Sequence, residues 1–257
     1  MTGTSRTVDD AVPTRRDDGE VTQTRRHPRG VLAVRDLLII FVLALVISMG
    51  LKAFVVRSFY IPSASMNPTL VQNDRVLVNL LVPEVVPLEH GDVVVFQDPD
   101  NWLNTSAVQS STDDGPIQAA LRFVGFGSDN NDHLIKRVIG LPGDTVECCD
   151  NSGQLMLNGI PIVEPYIAIR RGETKAAPEE FDVTVPEGTM WVMGDNRYNS
   201  GDSAFHRDDE SGGFVPLSEV DGRAFIINWP FNRVGILGNY PDSFDRMTRG
   251  GATSSSE

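Results

Sequence analysis

From Leu37 to Val56 the chain runs for twenty residues with a single charge, Lys52, near the far end. About twenty apolar residues are what a helix needs to cross the hydrocarbon core of a bilayer, and a long lysine side chain near the end of such a helix can reach outward to the interface. Three readings compete. A cleaved leader has a shorter apolar region and a shorter stretch before it, although Ser48-Met49-Gly50 loosely imitates a small-x-small cleavage site. A helix buried in a soluble core is rarely apolar all round. An uncleaved transmembrane anchor over residues 37–56 fits best. Arg25, Arg26, Arg29 and Arg35 crowd its N-terminal side, which puts the N-terminus in the cytoplasm and the rest of the chain outside. Residues 1–36 contain one leucine and no aromatic residue, so a disordered cytoplasmic tail is expected there.

Charge divides the chain at the same point. The first 57 residues hold nine basic and six acidic side chains, and the remaining 200 hold thirteen and twenty-nine. A strongly acidic domain does not suit nucleic acid, whose phosphates require a basic footprint. Nor would charge alone hold it to anionic lipid.

Beyond Arg75 the pattern is mostly β. Arg75–Leu80, Asp92–Phe96 and Leu134–Ile139 are short β-branched runs bounded by Gly, Asp or Pro. Leu155–Ile162 carries Asn158-Gly159, the signal of a two-residue hairpin turn. Phe181–Val185, Thr189–Met193 and Arg223–Trp229 are further strand candidates. Residues 99–132 break this rhythm with Ser, Thr, Asp, Asn and Gly around one apolar patch, Ile117–Phe126, and read as a loop insertion. The expected organisation is therefore a β-rich extracytoplasmic domain over 58–237 and a flexible polar tail over 238–257.

Soon after the apolar run comes Ile61-Pro62-Ser63-Ala64-Ser65-Met66-Asn67-Pro68. The two prolines stiffen the segment and push the residues before them toward extended geometry. Ser65 lies eight residues past Arg57, so an extended chain keeps it within about 30 Å of the end of the apolar run. Far downstream, Lys136 shares its strand face with Leu134 and Val138. An ammonium flanked by aliphatic side chains is liable to desolvation, which lowers its pKa and frees the amine to act as a base. Taken alone, Ser65 is a turn residue and Lys136 guards a strand edge. Together they supply a Ser-Lys dyad, in which an uncharged amine activates a hydroxyl and no histidine is needed. Gly201-Asp202-Ser203 imitates the nucleophile tripeptide of chymotrypsin-like proteases, but Ala204-Phe205 follows where those enzymes need glycines.

Four segments in order, Ile61–Leu70, Asp74–Val78, Lys136–Asp144 and Gly194–Ser203, resemble the motifs of bacterial type I signal peptidase, and with the anchor the resemblance covers roughly residues 37–237. It implies a mostly antiparallel β catalytic domain behind one N-terminal transmembrane helix, in the bacterial cell membrane. It implies Ser65 as nucleophile, Lys136 as general base, and Ser63 with the Ser65 N–H as oxyanion donors. Ser200 would orient the lysine, with Asp202 beside it. Ile61, Pro62, Met66, Leu134 and Ile135 would line shallow apolar pockets for the small residues preceding the cleaved bond. The implied partners are exported preproteins bearing signal peptides and the lipid bilayer, with the secretion machinery nearby; no cofactor or metal is implied.

Two positions depart from the family pattern. Ala64 stands where glycine is most often found between the serines, and alanine excludes backbone geometries that glycine allows. Ala204 stands where the family usually has arginine, which leaves the partner of Asp202 to Arg197 or Arg207 if the fold brings either near. Cys148 and Cys149, the two cysteines of the chain, are adjacent and read as thiols or as a strained vicinal pair, without metal-ligand spacing. Two other functions compete with this one: a single-pass envelope protein whose β domain binds a partner or wall polymer, and a self-cleaving Ser-Lys relative of repressor type. The second would need a DNA-binding N-terminal domain, where this chain has a tail and an anchor.

Overall fold

A computed structural model describes residues 29–99, 102–103 and 133–250. Most of the expected 99–132 insertion, the segment 1–28 and the last seven residues lie outside the described residues.

Helix α1 spans Arg29–Phe54. It begins eight residues before the apolar run, so residues 29–36 belong to a helix and not to the expected disordered tail. No proline and no glycine interrupts Val31–Asp36, and a helix already nucleated extends through such residues at little cost. The side chains described from Val34 to Met49 are all exposed, with Leu37 at 68%, Phe41 at 64% and Ile47 at 54%. Among the described residues no helix is long and apolar enough to cross a membrane; the apolar run of the sequence extends past the part of α1 whose side chains are described.

Among the described residues twelve strands follow. They are β1 (Val56–Tyr60), β2 (Arg75–Asn79), β3 (Val93–Gln97), β4 (His133–Gly140), β5 (Thr145–Cys148), β6 (Leu155–Leu157), β7 (Ile160–Pro161), β8 (Phe181–Thr184), β9 (Thr189–Met193), β10 (Val215–Pro216), β11 (Val220–Trp229) and β12 (Gly235–Ile236). The architecture is mostly antiparallel β, as the sequence implies. Eight strands form one sheet in the order β1-β2-β11-β3-β4-β9-β10, with β12 on β11, and β7-β6-β5-β8 form a second. The end of the apolar run is not helical: Val56 opens β1, whose alternation buries Phe59 against the sheet.

Strand alternation explains the core. On β3, Val93 and Val95 join one apolar cluster with Phe59, Met66 and Ile135, while Val94 and Phe96 join another with Leu134, Val138 and Met190. Because both faces are covered, β3 is continuously apolar and not alternating. β4 lies beside it with Lys136 opposite Val94 and Arg137 opposite Val93. The second sheet packs Val146, Leu155, Leu157 and Phe181 against Ile139 and Trp191. Its hairpin turns at Asn158-Gly159, with φ of 53° and 76° at the two positions, as the primed turn requires.

The C-terminal segment also differs from expectation. Instead of a flexible tail it forms helix α2, Pro241–Gly250, with proline at its start and Asp242 in the first turn. The reason is Phe244, which is 4% exposed and stacks on His90 with ring centroids 5.7 Å apart. Cys148 and Cys149 are joined to each other by a disulfide at the end of β5.

Candidate active site

The loop from Ile61 to Asp74 is closed at its base, where Ile61 N donates to Asp74 O at 2.9 Å and Asn73 N to Ile61 O at 2.9 Å. Ser65 sits on this loop with 7% exposure. Lys136 reaches it from the middle of β4, and its Nζ lies 3.0 Å from Ser65 Oγ. As an ammonium the lysine donates to the hydroxyl; as a free amine its lone pair can accept the hydroxyl proton. Ser63 Oγ is 3.1 Å from Ser65 Oγ on the outer side.

Burial governs the lysine. Lys136 is 3% exposed, and desolvation lowers its pKa from 10.5 to about 8, against the opposing pull of the Asp202 and Asp195 charges. Among the described residues its one direct polar contact is the neutral hydroxyl of Ser65. Asp202 is buried too, and desolvation raises its pKa, opposed by the Gly194 N–H and by Lys136. It accepts hydrogen bonds from Gly194 N at 2.9 Å and Ala204 N at 3.2 Å. Neither candidate arginine pairs with it directly. Arg197 is spent on Glu164 and the carbonyls of Gly194 and Ala176, and Arg207 on Glu179 and the Glu180 carbonyl. With alanine at 204, the two backbone N–H groups and the more distant charges are what hold the carboxylate.

Ser200 lies over Gly194: a Cβ added to that glycine would sit 2.2 Å from Ser200 Oγ and 2.5 Å from Ser65 O. The Ser200 hydroxyl is enclosed without a hydrogen bond of good geometry, yet it is close enough to Asp202 to favour the charged carboxylate. Gly194 is thus a close-approach glycine, a role that its position in a motif does not reveal. Asn196 is the other residue that sequence reasoning missed. Its backbone N donates to Ser65 O at 2.9 Å and its Nδ2 to Ala64 O at 3.0 Å.

Beside Ser65 and Lys136, a cleft of about 220 Å³ is lined by residues including Ile61, Pro62, Ser63, Leu134, Ile135 and Lys136. It is smaller than the ~300–1,000 Å³ of a site for a drug-sized molecule, so it suits a few short side chains. Four of the five expected pocket residues line it. Met66 does not; it is fully buried in the cluster with Phe59 and Ile61, because the turn after Ser65 carries it inward. The described histidines are engaged away from Ser65: His90 bonds Asp144 at 2.7 Å, His133 pairs with Asp221 at 2.8 Å, and His206 bonds Asp209 at 2.6 Å. Ser203 Oγ accepts a hydrogen bond from Val192 N at 2.9 Å, a structural use that sets aside the chymotrypsin-like tripeptide. No cluster of residues among those described could hold a metal ion.

Residues 34–229 match the family model described as signal peptidase, peptidase S26. A signal peptidase I of Mycobacterium tuberculosis is 35% identical over 249 residues, covering 89% of this chain and 84% of that one. Signal peptidase I of Leptolyngbya laminosa is 36% identical over 77% of this chain and 81% of its own. A crystal structure of a signal peptidase I from Enterococcus faecalis is 27% identical over 53% of this chain and 95% of that one, with a TM-score of 0.35.

Proposed function

The chain belongs to the signal peptidase family, peptidase S26, and is a hydrolase of that family; on that premise we propose that it is a membrane-anchored endopeptidase that removes signal peptides from exported preproteins with Ser65 as nucleophile and Lys136 as general base. The observation that carries the reading is the 3.0 Å contact between a buried amine, its pKa lowered to about 8, and the Ser65 hydroxyl.

In this mechanism the neutral amine of Lys136 takes the hydroxyl proton as Ser65 Oγ attacks the scissile carbonyl. The oxyanion that forms is met by the Ser65 N–H and the Ser63 hydroxyl. The lysine ammonium then returns its proton to the leaving amine, and water hydrolyses the acyl-enzyme with Lys136 again as base. Asp202 acts on the lysine through its charge and not by contact, and Ser200 stands beside Asp202. The substrate chain lies along the cleft in extended form. Among the described residues β4 pairs with β9 only from Arg137 onward, so along His133–Lys136 the edge away from β3 offers backbone groups to a further strand. The small volume beside Ile61, Pro62, Leu134 and Ile135 favours small-x-small sequences before the cleaved bond.

The apolar run from Leu37 to the end of α1 at Phe54 anchors the enzyme in the cytoplasmic membrane, with the N-terminus inside and the catalytic domain outside. An apolar surface turned outward around a whole helix is costly in water and satisfied in lipid. The deciding experiment incubates the detergent-solubilised enzyme, its Ser65→Ala form and its Lys136→Ala form with a preprotein and maps the new N-terminus. Cleavage after a small-x-small site by the parent enzyme alone is expected, and full activity in either variant refutes the dyad.

A further inference from the structure

We propose that Asn196 is a positioning residue of this reaction: it fixes the peptide unit whose N–H, that of Ser65, receives the oxyanion. The inference rests on the Ser65–Lys136 reading above. Asn196 grips two successive carbonyls of the nucleophile loop. Its side-chain Nδ2 donates to Ala64 O at 3.0 Å, and its backbone N donates to Ser65 O at 2.9 Å. A carbonyl oxygen only accepts, so the atom facing Ala64 is the amide NH2 and not its oxygen.

The Ala64 carbonyl and the Ser65 N–H belong to one planar trans peptide unit and point in opposite directions. Holding the carbonyl therefore aims the N–H. The same oxygen also accepts from Asn67 N at 3.1 Å, and two donors on a carbonyl polarise the unit and strengthen its N–H as a donor. Among the described residues that N–H donates to no group of the protein, so it is free for a substrate oxygen. Asn196 is itself well fixed. Its neighbour Asp195 is held by Arg137 at 2.9 and 2.7 Å and by Thr69 at 2.5 Å, and its own carbonyl accepts from Asn199 N at 2.8 Å. A deeply buried ion pair is thereby transmitted through one residue to the direction of a single N–H.

The test uses the full chain in detergent micelles, with Asn196→Asp, Asn196→Ala and Asn196→Ser. The substrate is a synthetic peptide containing Ala-Xaa-Ala, and the probe is the same peptide ending in an aldehyde after the second alanine. Ser65 Oγ adds to the aldehyde carbon, whose oxygen then occupies the oxyanion position. The expected result for Asp and Ala is a fall in kcat of at least ~30-fold, since an oxyanion donor is worth roughly 10²–10³ and a misdirected one retains part of that. KM stays within about threefold, the pH midpoint of the reaction is unchanged, and aldehyde affinity falls in step with kcat while product-peptide affinity does not. Serine, which keeps a short donor, recovers part of the loss.

The inference is overturned if kcat holds within about threefold, if KM rises alone, or if the pH midpoint moves with kcat, which would point to a disturbed Lys136. It is overturned as well if all three variants fail to fold, since Asn196 would then be a stability residue. Ser65→Ala in the same series separates the two failures. If it cleaves normally, the dyad reading falls; if it is inactive while Asn196→Asp is unimpaired, only the role of Asn196 falls.

Discussion

The titration of Lys136 offers the most direct test of the chemistry. An unperturbed lysine with a pKa of 10.5 is neutral in about three molecules in ten thousand at pH 7, whereas a pKa of about 8 gives roughly one in ten. Burial thus raises the supply of free base about 300-fold at neutral pH, equivalent to about 3 kcal/mol. The measurable consequence is the pH dependence of kcat/KM, which reports ionisation of the free enzyme. With a small-x-small peptide substrate, the rate is expected to rise nearly tenfold per pH unit below pH 7.5 or so and to level off above about 9, with its midpoint at about 8. A carboxylate or unperturbed imidazole base would be fully active by pH 7 to 7.5. A profile that is flat or falling from pH 6 to 9, or one still climbing at pH 10.5, would refute the account of a desolvated amine.

Asp202→Asn removes the opposing charge that holds the lysine pKa up, so the midpoint of the same profile should move to lower pH; a shift to higher pH would contradict that electrostatic role. Lys136→Met should abolish cleavage yet raise the melting temperature at pH 7. Between about 8 and 10.5 the unfolded chain binds the proton that the folded chain sheds, so the cost of burying this lysine is full below pH 8 and gone above 10.5. After allowing for the lost Ser65 hydrogen bond, the net gain at neutral pH is about 2 kcal/mol, or roughly 4–8 °C; an unchanged or lower melting temperature counts against the burial penalty. Gly194→Ala should lower kcat by about 10² and destabilise the fold by about 1–3 kcal/mol, because the new methyl would overlap Ser200 Oγ and Ser65 O; wild-type kinetics in this variant would mean that the nucleophile loop tolerates displacement.

What was legible in the sequence was local or periodic. The period of two in Leu134–Ile139 put Lys136 on the face of Leu134 and Val138 and foretold its desolvation, and Asn158-Gly159 foretold its turn. What was not legible depended on contacts between distant segments. Asn196 and Gly194 stand in a recognisable motif, but their roles follow from where a loop about 130 residues earlier passes over them. The family resemblance implied a pocket role for Met66, and the turn after Ser65 sends it into the core instead. Phe244 gave no periodic signal in a polar segment, yet one aromatic ring packed on His90 is enough to dock a helix where a loose tail was expected.

Two adjacent cations on β4 meet opposite fates, and the difference lies in what surrounds each. Arg137 is fully buried, and Asp195 embraces it with both oxygens while the carbonyls of Gly91 and Gly238 accept further hydrogen bonds. The Tyr166 ring lies 4.1 Å from its guanidinium carbon. Burial alone would lower its pKa, and Asp195 more than reverses this, so the charge is locked in. Lys136, one residue earlier and on the other face, touches only a neutral hydroxyl and feels Asp202 and Asp195 without an ion pair to either. Were Asp202 in direct contact, the ammonium would be held as firmly as the guanidinium and little free amine would remain. Were its charge absent, the amine would be free at lower pH but a weaker proton acceptor. The distance at which the carboxylate is kept, pinned by the N–H groups of Gly194 and Ala204, is therefore what tunes the lysine between those limits.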